Sequence, residues 1–139
     1  MRYTILVVDD ESIVLDFCCF ALRLNGYNVF SASSGIRALP FFESGRSTID
    51  LALLDVMMPG LNGVELAKRI GQLSPSTEVV FMSEYTPQEI NRLIGKDTAD
   101  HRSMWKPFTA DMLTLMIGNV LARVAPNQIA ERAEGAHGA

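Results

Sequence analysis

Long hydrophobic runs and basic clusters are both missing from this chain of 139 residues. No apolar stretch reaches the roughly 18 residues that a membrane-spanning helix needs, so we expect no membrane segment. Lysine and arginine number 12 against 16 acidic residues, for a formal net charge of −4. This balance argues against nucleic acid as a direct partner. A strand is predicted to begin within three residues of the start, so we expect no signal peptide.

Cysteine and histidine are also scarce. Cys18 and Cys19 are adjacent, and on a helix they would point about 100° apart, so we expect free thiols rather than a disulfide. Free thiols suit the reducing cytoplasm, where we predict that the protein acts. The two histidines, His101 and His137, fall in a predicted loop and in the C-terminal tail. The sequence therefore offers no thiolate or imidazole metal site.

Enough apolar residues are present to form a real core, since 48% of the chain is hydrophobic and 20% is charged. The length fits one domain. We predict that this domain covers residues 1–125. Residues 126–139 lack apolar periodicity and are predicted to be a disordered tail or the start of a linker.

Strand-like and helix-like segments alternate along the domain. The predicted strands are residues 3–8, 27–31, 49–55, 77–82 and 102–105. The predicted helices are residues 12–24, 33–44, 62–72, 87–94 and 110–125. Pro40 falls inside the second helix, where we expect a kink or a late start. The alternation predicts an α/β fold, a doubly wound parallel sheet of five strands with helices on both faces.

Apolar spacing predicts which helix faces are buried. For the first helix the predicted core face consists of Ile13, Phe17, Phe20, Ala21 and Leu24, while Ser12, Asp16, Cys19 and Arg23 share a narrower, more polar face. For the last helix it consists of Leu113, Met116, Ile117, Val120, Leu121 and Val124. Met112 and Leu115 lie off that stripe. They are either ordinary surface residues or part of a face for a partner or a second copy of the chain.

Polar side chains follow the predicted strands at one edge of the sheet. They are Asp9, Asp10, Asp55, Ser83 and Lys106. Since the carboxyl ends of parallel strands meet at one edge, we expect these side chains to converge. The three carboxylates of this set, on Asp9, Asp10 and Asp55, would repel one another, and a bound divalent cation would relieve that repulsion. All-oxygen ligands favour Mg²⁺.

A metal, a lysine and a hydroxyl around one carboxylate can hold a phosphoryl group. Phosphoryl transfer needs mainly positioning and charge neutralisation. Asp55 would then be the nucleophile that forms an aspartyl phosphate. No glycine-rich phosphate loop of the G-x-x-x-x-G-K-[ST] type is present, so we do not expect nucleotide binding.

Four motifs stand at the ends of the predicted strands: Val8-Asp9-Asp10-Glu11, Leu54-Asp55-Val56-Met57-Met58-Pro59-Gly60-Leu61-Asn62-Gly63, Phe81-Met82-Ser83 and Lys106-Pro107-Phe108. Together they closely resemble the receiver domain of two-component response regulators, over residues 3 to about 125. The resemblance implies a flavodoxin-like sheet with strand order 2-1-3-4-5. It also implies phosphorylation by a histidine kinase or a phosphotransfer protein, and no enzyme activity beyond self-phosphorylation and autodephosphorylation.

Residue roles follow from the same resemblance. Asp55 would be the phosphoacceptor. Asp10, Asp9, Asp55 and the backbone carbonyl of Met57 would bind Mg²⁺, with Asp9 acting largely through water. Ser83 and Lys106 would contact the phosphoryl group. A cis peptide bond is expected before Pro107.

Ser103 departs from the family pattern, because an aromatic switch residue usually stands three positions before the lysine. Trp105 lies two residues further on and would share a face with Ser103 on a regular strand. It either substitutes for the missing ring or simply packs.

Two other functions remain open from the sequence. The domain could be a protein-interaction module of the same fold that works without phosphorylation, an idea supported only by Ser103. It could also be a Mg²⁺-dependent phosphohydrolase, but such an enzyme typically needs a second acid two residues after its nucleophile. Met57 occupies that position, so this hypothesis ranks last.

Overall fold

A five-stranded parallel sheet forms the centre of the molecule, in a computed structural model that describes residues 2–44, 48–96, 98 and 102–123. The strands follow the order β2-β1-β3-β4-β5, and every neighbouring pair is parallel. The predicted α/β class and strand order are therefore confirmed.

The strands are short and the helices that connect them differ in length. The strands are β1 (Thr4–Val8), β2 (Asn28–Ala32), β3 (Leu51–Asp55), β4 (Glu78–Ser83) and β5 (Arg102–Trp105). The helices are α1 (Ser12–Leu24), α2 (Gly35–Ala38), α3 (Pro40–Glu43), α4 (Gly63–Leu73), α5 (Pro87–Ile94) and α6, which is described from residue 110 to residue 123.

Each face of the sheet has its own core, because alternate residues of a strand point to opposite faces. On β1, Ile5 and Val7 pack against α1 and α6, whereas Leu6 and Val8 pack on the side of α2 to α5. All five residues of β3 are buried, as expected for a strand covered on both faces. Apolar burial on both sides thus fixes the strand ends that carry the polar residues.

Pro40 divides the second predicted helix into two short pieces, α2 and α3. Leu39 between them keeps helical backbone angles, and its amide still donates to the carbonyl of Gly35 at 3.3 Å. Pro40 has no amide hydrogen to continue that pattern. The predicted interruption is confirmed.

Polar caps begin α4 and α5 as their sequences predict. Asn62 and Glu65 form a complete capping box, in which each side chain accepts a hydrogen bond from the other residue's backbone amide. Thr86 caps α5 by accepting from the amide of Glu89. These caps start both helices directly after the loops that end β3 and β4.

The predicted core face of α1 is wrong. Ile13, Phe20 and Leu24 are 83%, 66% and 72% exposed, and Phe17 is 40% exposed. The buried residues of the helix are Cys18, Cys19, Ala21 and Leu22. Small thiol and methyl side chains let the helix lie close to β1 and β2, and Leu22 is its one large apolar side chain that is fully buried. Ala21 is the one member of the predicted set that is buried.

The last helix agrees with its prediction over the described residues. Leu113, Ile117, Val120 and Leu121 are buried and Met116 is half-buried. Val124 and the predicted tail, 126–139, lie outside the described residues.

Both cysteines are free. Within the ranges described, no helix combines the length and apolarity needed to cross a membrane.

Candidate functional site

Four strand ends bring the predicted polar residues to one edge of the sheet. Asp9 directly follows β1 and Asp55 ends β3. Ser83 ends β4, and its carbonyl accepts a hydrogen bond of 2.9 Å from the amide of Lys106, just after β5. The predicted convergence of these residues is confirmed, although they are up to 97 positions apart in the sequence.

Lys106 lies between the carboxylates. Its Nζ donates to Oδ2 of Asp9 at 2.8 Å and lies 3.4 Å from Oδ1 of Asp55. Oε1 of Glu11 is 3.8 Å away. The lysine is only 8% exposed and Asp9 is fully buried, so the ammonium stays in contact with both aspartates rather than with bulk water. The peptide bond from Lys106 to Pro107 is cis, as the resemblance implies.

Three carboxylates form a cluster that fits a divalent cation. One oxygen from each of Asp9, Asp10 and Asp55 lies within 4.8 Å of the other two. Oxygens that share one Mg²⁺ lie about 3–4 Å apart, given ligand distances of about 2.0–2.1 Å. Asp9 and Asp55 are buried and Asp10 is exposed, so the cluster opens to solvent on the Asp10 side. The donor set is all oxygen, which suits Mg²⁺.

Both oxygens of Asp9 are already engaged. Oδ2 accepts from Lys106, and Oδ1 accepts from the backbone amide of Glu11 at 2.9 Å. Asp10 has no such contacts within the described part of the chain. These contacts favour Asp10 as the direct metal ligand and an indirect role for Asp9.

The pKa of the Asp55 carboxyl is raised from 3.8 to about 7, first by burial and then by the negative charge of Asp9, against the opposing effect of Lys106. Burial lowers the pKa of the Lys106 ammonium, but its hydrogen bond to Asp9 and the charge of Asp55 outweigh this and raise it. Without a cation, burial and the charge of Asp9 therefore disfavour the ionised form of Asp55. A divalent ion beside it would favour the charged, nucleophilic form.

Ser83 has its hydroxyl oxygen engaged by its own loop. Oγ accepts a hydrogen bond of 3.0 Å from the amide of Tyr85, and the residue is buried. Its hydroxyl hydrogen remains available to donate to an oxygen bound at Asp55. Met57 lies half-buried in the loop after β3.

Ser103 and Trp105 share the exposed face of the edge strand β5, with Met104 buried between them. Trp105 is 60% exposed and pairs in register with Ser83. The prediction that the two residues share a face is confirmed.

Two contributors to the site were not predicted. Glu11 adds a fourth carboxylate near Lys106, and the acidic run 9–11 was the available signal. Gly63 packs on the backbone of Asp55, where a Cβ atom would lie 2.2 Å from the carbonyl oxygen. The Asn62-Gly63 pair indicated a helix start, but spacing alone gave no sign of this close approach.

A cleft of about 370 Å³ lies beside the acidic cluster. Its lining includes Glu11, Ile13, Phe17, Lys106 and Phe108. The rings of Phe17 and Phe108 lie 6.3 Å apart and are tilted by 49°. The cleft therefore connects the polar edge of the sheet to the exposed apolar residues of α1.

Comparison with known proteins agrees with this geometry. A family model described as the response regulator receiver domain matches residues 5–118. The sensory transduction protein RegX3 of Mycolicibacterium smegmatis is 33% identical over 95% of this chain and 56% of its own length. A cyclic di-GMP phosphodiesterase of Thermotoga maritima is 33% identical over 85% of this chain and 31% of its own length.

A solved structure extends the similarity to a metal-bound protein. The response regulator TrrA of Thermotoga maritima, in complex with Mg²⁺-BeF, is 30% identical and superposes with a TM-score of 0.71, over 85% of this chain and 98% of that one. The chain spans about half or less of the length of the curated relatives named above.

Proposed function

Because the chain belongs to the response regulator receiver domain family, whose members are phosphoacceptors, we propose that Asp55 is the residue that accepts the phosphoryl group. One observation carries this assignment. Asp9 and Asp55 are both buried members of the acidic cluster that contact Lys106, but both oxygens of Asp9 accept hydrogen bonds, whereas within the described residues Asp55 contacts the ammonium through Oδ1 at 3.4 Å.

The transfer itself requires one bond to form and one to break. A carboxylate oxygen of Asp55 attacks the phosphorus of a phosphohistidine donor, the P–N bond breaks, and the imidazole leaves with the bonding electrons. Lys106 would offset the negative charge on the phosphoryl oxygens, and Ser83 would donate its hydroxyl hydrogen to one of them. Both residues already stand at the site before the donor arrives, because Ser83 ends β4 and Lys106 follows β5.

Asp10, Asp9, Asp55 and the carbonyl of Met57 are the proposed Mg²⁺ ligands, with Asp9 acting mainly through water. When bound, the ion would neutralise charge between the carboxylates and the incoming phosphoryl oxygens. Within the described residues, Lys106 is the one cation in contact with Asp9, Glu11 and Asp55, so a single ammonium compensates several carboxylates there. That imbalance supports a need for a cation during transfer.

The proposed donors are a histidine kinase or a phosphotransfer protein, which places the reaction in the cytoplasm. The proposed output is a changed affinity for a protein partner. A new charge at Asp55 would draw Ser83 and Lys106 toward it and shift the loops after β4 and β5 between two arrangements. The curated relatives are longer than this chain, so their activities are not transferred to it.

Intact mass spectrometry tests the assignment. The wild type is incubated with Mg²⁺ and acetyl phosphate, beside Asp55→Asn and, as a matched control, the exposed-site variant Asp16→Asn. We expect one phosphoryl group on the wild type and on Asp16→Asn, none on Asp55→Asn, and none after chelation of Mg²⁺. Labelling that survives in Asp55→Asn would contradict the assignment.

The phosphorylation-independent module is not favoured. Its sequence support is Ser103 alone, and a module without this chemistry has no need for Asp9, Asp55 and Lys106 to stay in contact. If cognate kinases as well as acetyl phosphate leave the protein unlabelled while it still binds Mg²⁺, this alternative replaces the proposal.

A further inference from the structure

The exposed face of α1 carries a continuous apolar stripe, formed by Ile13, Phe17, Phe20 and Leu24. On a helix of 3.6 residues per turn these positions lie within about 60° of one another. Their exposed fractions range from 40% to 83%. Scattered apolar residues are ordinary on a protein surface, but four in line over three turns form a patch suited to a helical partner.

The stripe is symmetric about the middle of the helix. Ile13 and Leu24 stand at its two ends, and Phe17 and Phe20 stand at equal distances inside them. In an antiparallel pair of identical helices, the two phenylalanines would face each other in the centre, and isoleucine would face leucine at either end. A two-fold axis requires this self-complementarity of an interface between identical chains.

Charges beside the stripe favour the same arrangement. Asp16 and Arg23 lie seven residues apart on one flank and are exposed, and Val14 and Ala21 on the other flank turn toward the domain. Antiparallel pairing places Asp16 of each helix beside Arg23 of the other, so that both contacts join opposite charges. Arg23 donates one hydrogen bond to the carbonyl of Val29 at 3.0 Å, which leaves its other N–H groups available.

We propose that the protein forms a two-fold homodimer through antiparallel pairing of α1. The helix is 13 residues long, or about 20 Å. Contact along one helix buries less than the roughly 800 Å² per partner of a standard stable interface. We therefore expect a weak dimer whose population rises with protein concentration. This surface is separate from the outward residues of α6 that the sequence raised as a dimer face.

Sedimentation velocity between about 5 and 500 µM tests the association. The wild type, of 15.3 kDa, is expected to shift toward twice that mass. Phe20→Glu is expected to remain a monomer. Leu115→Glu is the matched control, because Leu115 on α6 and Phe20 are each 66% exposed, and this variant should dimerise like the wild type.

A charge exchange tests the orientation. Asp16→Arg should weaken association at least tenfold, since two arginines would then meet on each side. Adding Arg23→Asp to the same chain restores both opposite-charge contacts and should recover the dimer. Melting curves of both variants verify that each is folded.

Disulfide trapping gives a second, geometric test. Ile13→Cys and Leu24→Cys chains carrying different tags are mixed and oxidised, with the wild type as a control for its buried thiols. Antiparallel pairing predicts disulfides between the two kinds of chain and few between two Ile13→Cys chains. A monomer at every concentration, a dimer abolished by Leu115→Glu instead, or trapping between two Ile13→Cys chains would overturn the proposal. None of these outcomes depends on phosphorylation of Asp55.

Discussion

Lys106 links three strands of the sheet at a single residue. Its backbone amide is bonded to the carbonyl of Ser83 at the end of β4, and its ammonium contacts Asp9 after β1 and Asp55 at the end of β3. A buried ammonium loses hydration and is retained where carboxylates compensate it. This residue therefore bridges Asp55 and Asp9 within the acidic cluster.

Asp55 should make the stability of the metal-free protein depend on pH. Folding raises the pKa of its carboxyl from the ordinary value of 3.8, which we take for the unfolded chain, to about 7. The folded protein therefore disfavours the charged form. The contribution to stability is complete below about pH 4 and is lost as the pH rises through about 7. We expect the free energy of unfolding of Asp55→Asn at pH 8 to exceed that of the wild type by up to about 4 kcal/mol, at 1.36 kcal/mol per pKa unit, so that the variant also melts at a higher temperature.

Calorimetry of both proteins in a chelator, from pH 4 to pH 8, measures this difference. The advantage of Asp55→Asn should grow with pH and level off above the folded-state pKa. Addition of Mg²⁺ at pH 8 should stabilise the wild type more than the variant. An advantage that is equal at pH 4 and pH 8 would mean that the charge of Asp55 is not its source.

At the scale of elements, the strands were predicted more reliably than the packing of the helices. Continuous apolar runs located β1, β3 and β4 to within a residue or two, and α5 and β5 have the predicted bounds. Helical periodicity located α1 as well, but it selected the wrong face. The stripe from Ile13 to Leu24 has the spacing of a buried face, and only the fold determines whether the domain itself or another chain covers it.

Gly63 at the start of α4 is an element-scale requirement of the site. Gly63→Ala would place a methyl group closer to the Asp55 carbonyl oxygen than Cβ atoms approach other atoms in folded proteins. The backbone must therefore shift, which should lower the free energy of unfolding by about 1–3 kcal/mol. We expect the side chain of Asp55 to shift with it. Urea unfolding should show the loss of stability, and intact mass should show slower phosphorylation.

Gly71→Ala is the matched control in the same helix, because nothing lies within 4 Å of a Cβ atom built there. It should be neutral or stabilising by about 0.5–1 kcal/mol. Equal losses in both variants would indicate a general effect of helix composition and not a contact with Asp55.

At the scale of the whole molecule, the sequence predicted which residues meet but not how they interact. Motif order and the parallel topology were enough to bring Asp9, Asp55, Ser83 and Lys106 together. The hydrogen bond from Lys106 to Asp9 joins residues 97 positions apart, and the contact of Gly63 with the Asp55 backbone depends on how the loop after β3 folds back. Spacing along a chain does not encode such distances.

Trp105 should report phosphorylation at a distance from the acceptor. It is the single tryptophan of the chain, it is largely exposed, and it precedes Lys106. Movement of Ser83 and Lys106 toward a phosphoryl group would change its surroundings. We expect its fluorescence to change when acetyl phosphate is added with Mg²⁺, and to stay constant in Asp55→Asn. A constant signal in the labelled wild type would leave Trp105 with a packing role only.

The strand ends carry the residues proposed for the chemistry, and the outer helix faces supply none of them, although Ile13 and Phe17 of α1 line the cleft beside Lys106. Leu115 and Met112 on α6, Leu93 on α5 and the stripe on α1 all face outward. For protein engineering, this division means that partner choice and phosphoryl chemistry occupy separate sets of positions. Outward positions can be randomised in a library while residues 8–11, 54–63, 81–83 and 106–108 stay fixed, so new specificities can be selected with the acceptor intact.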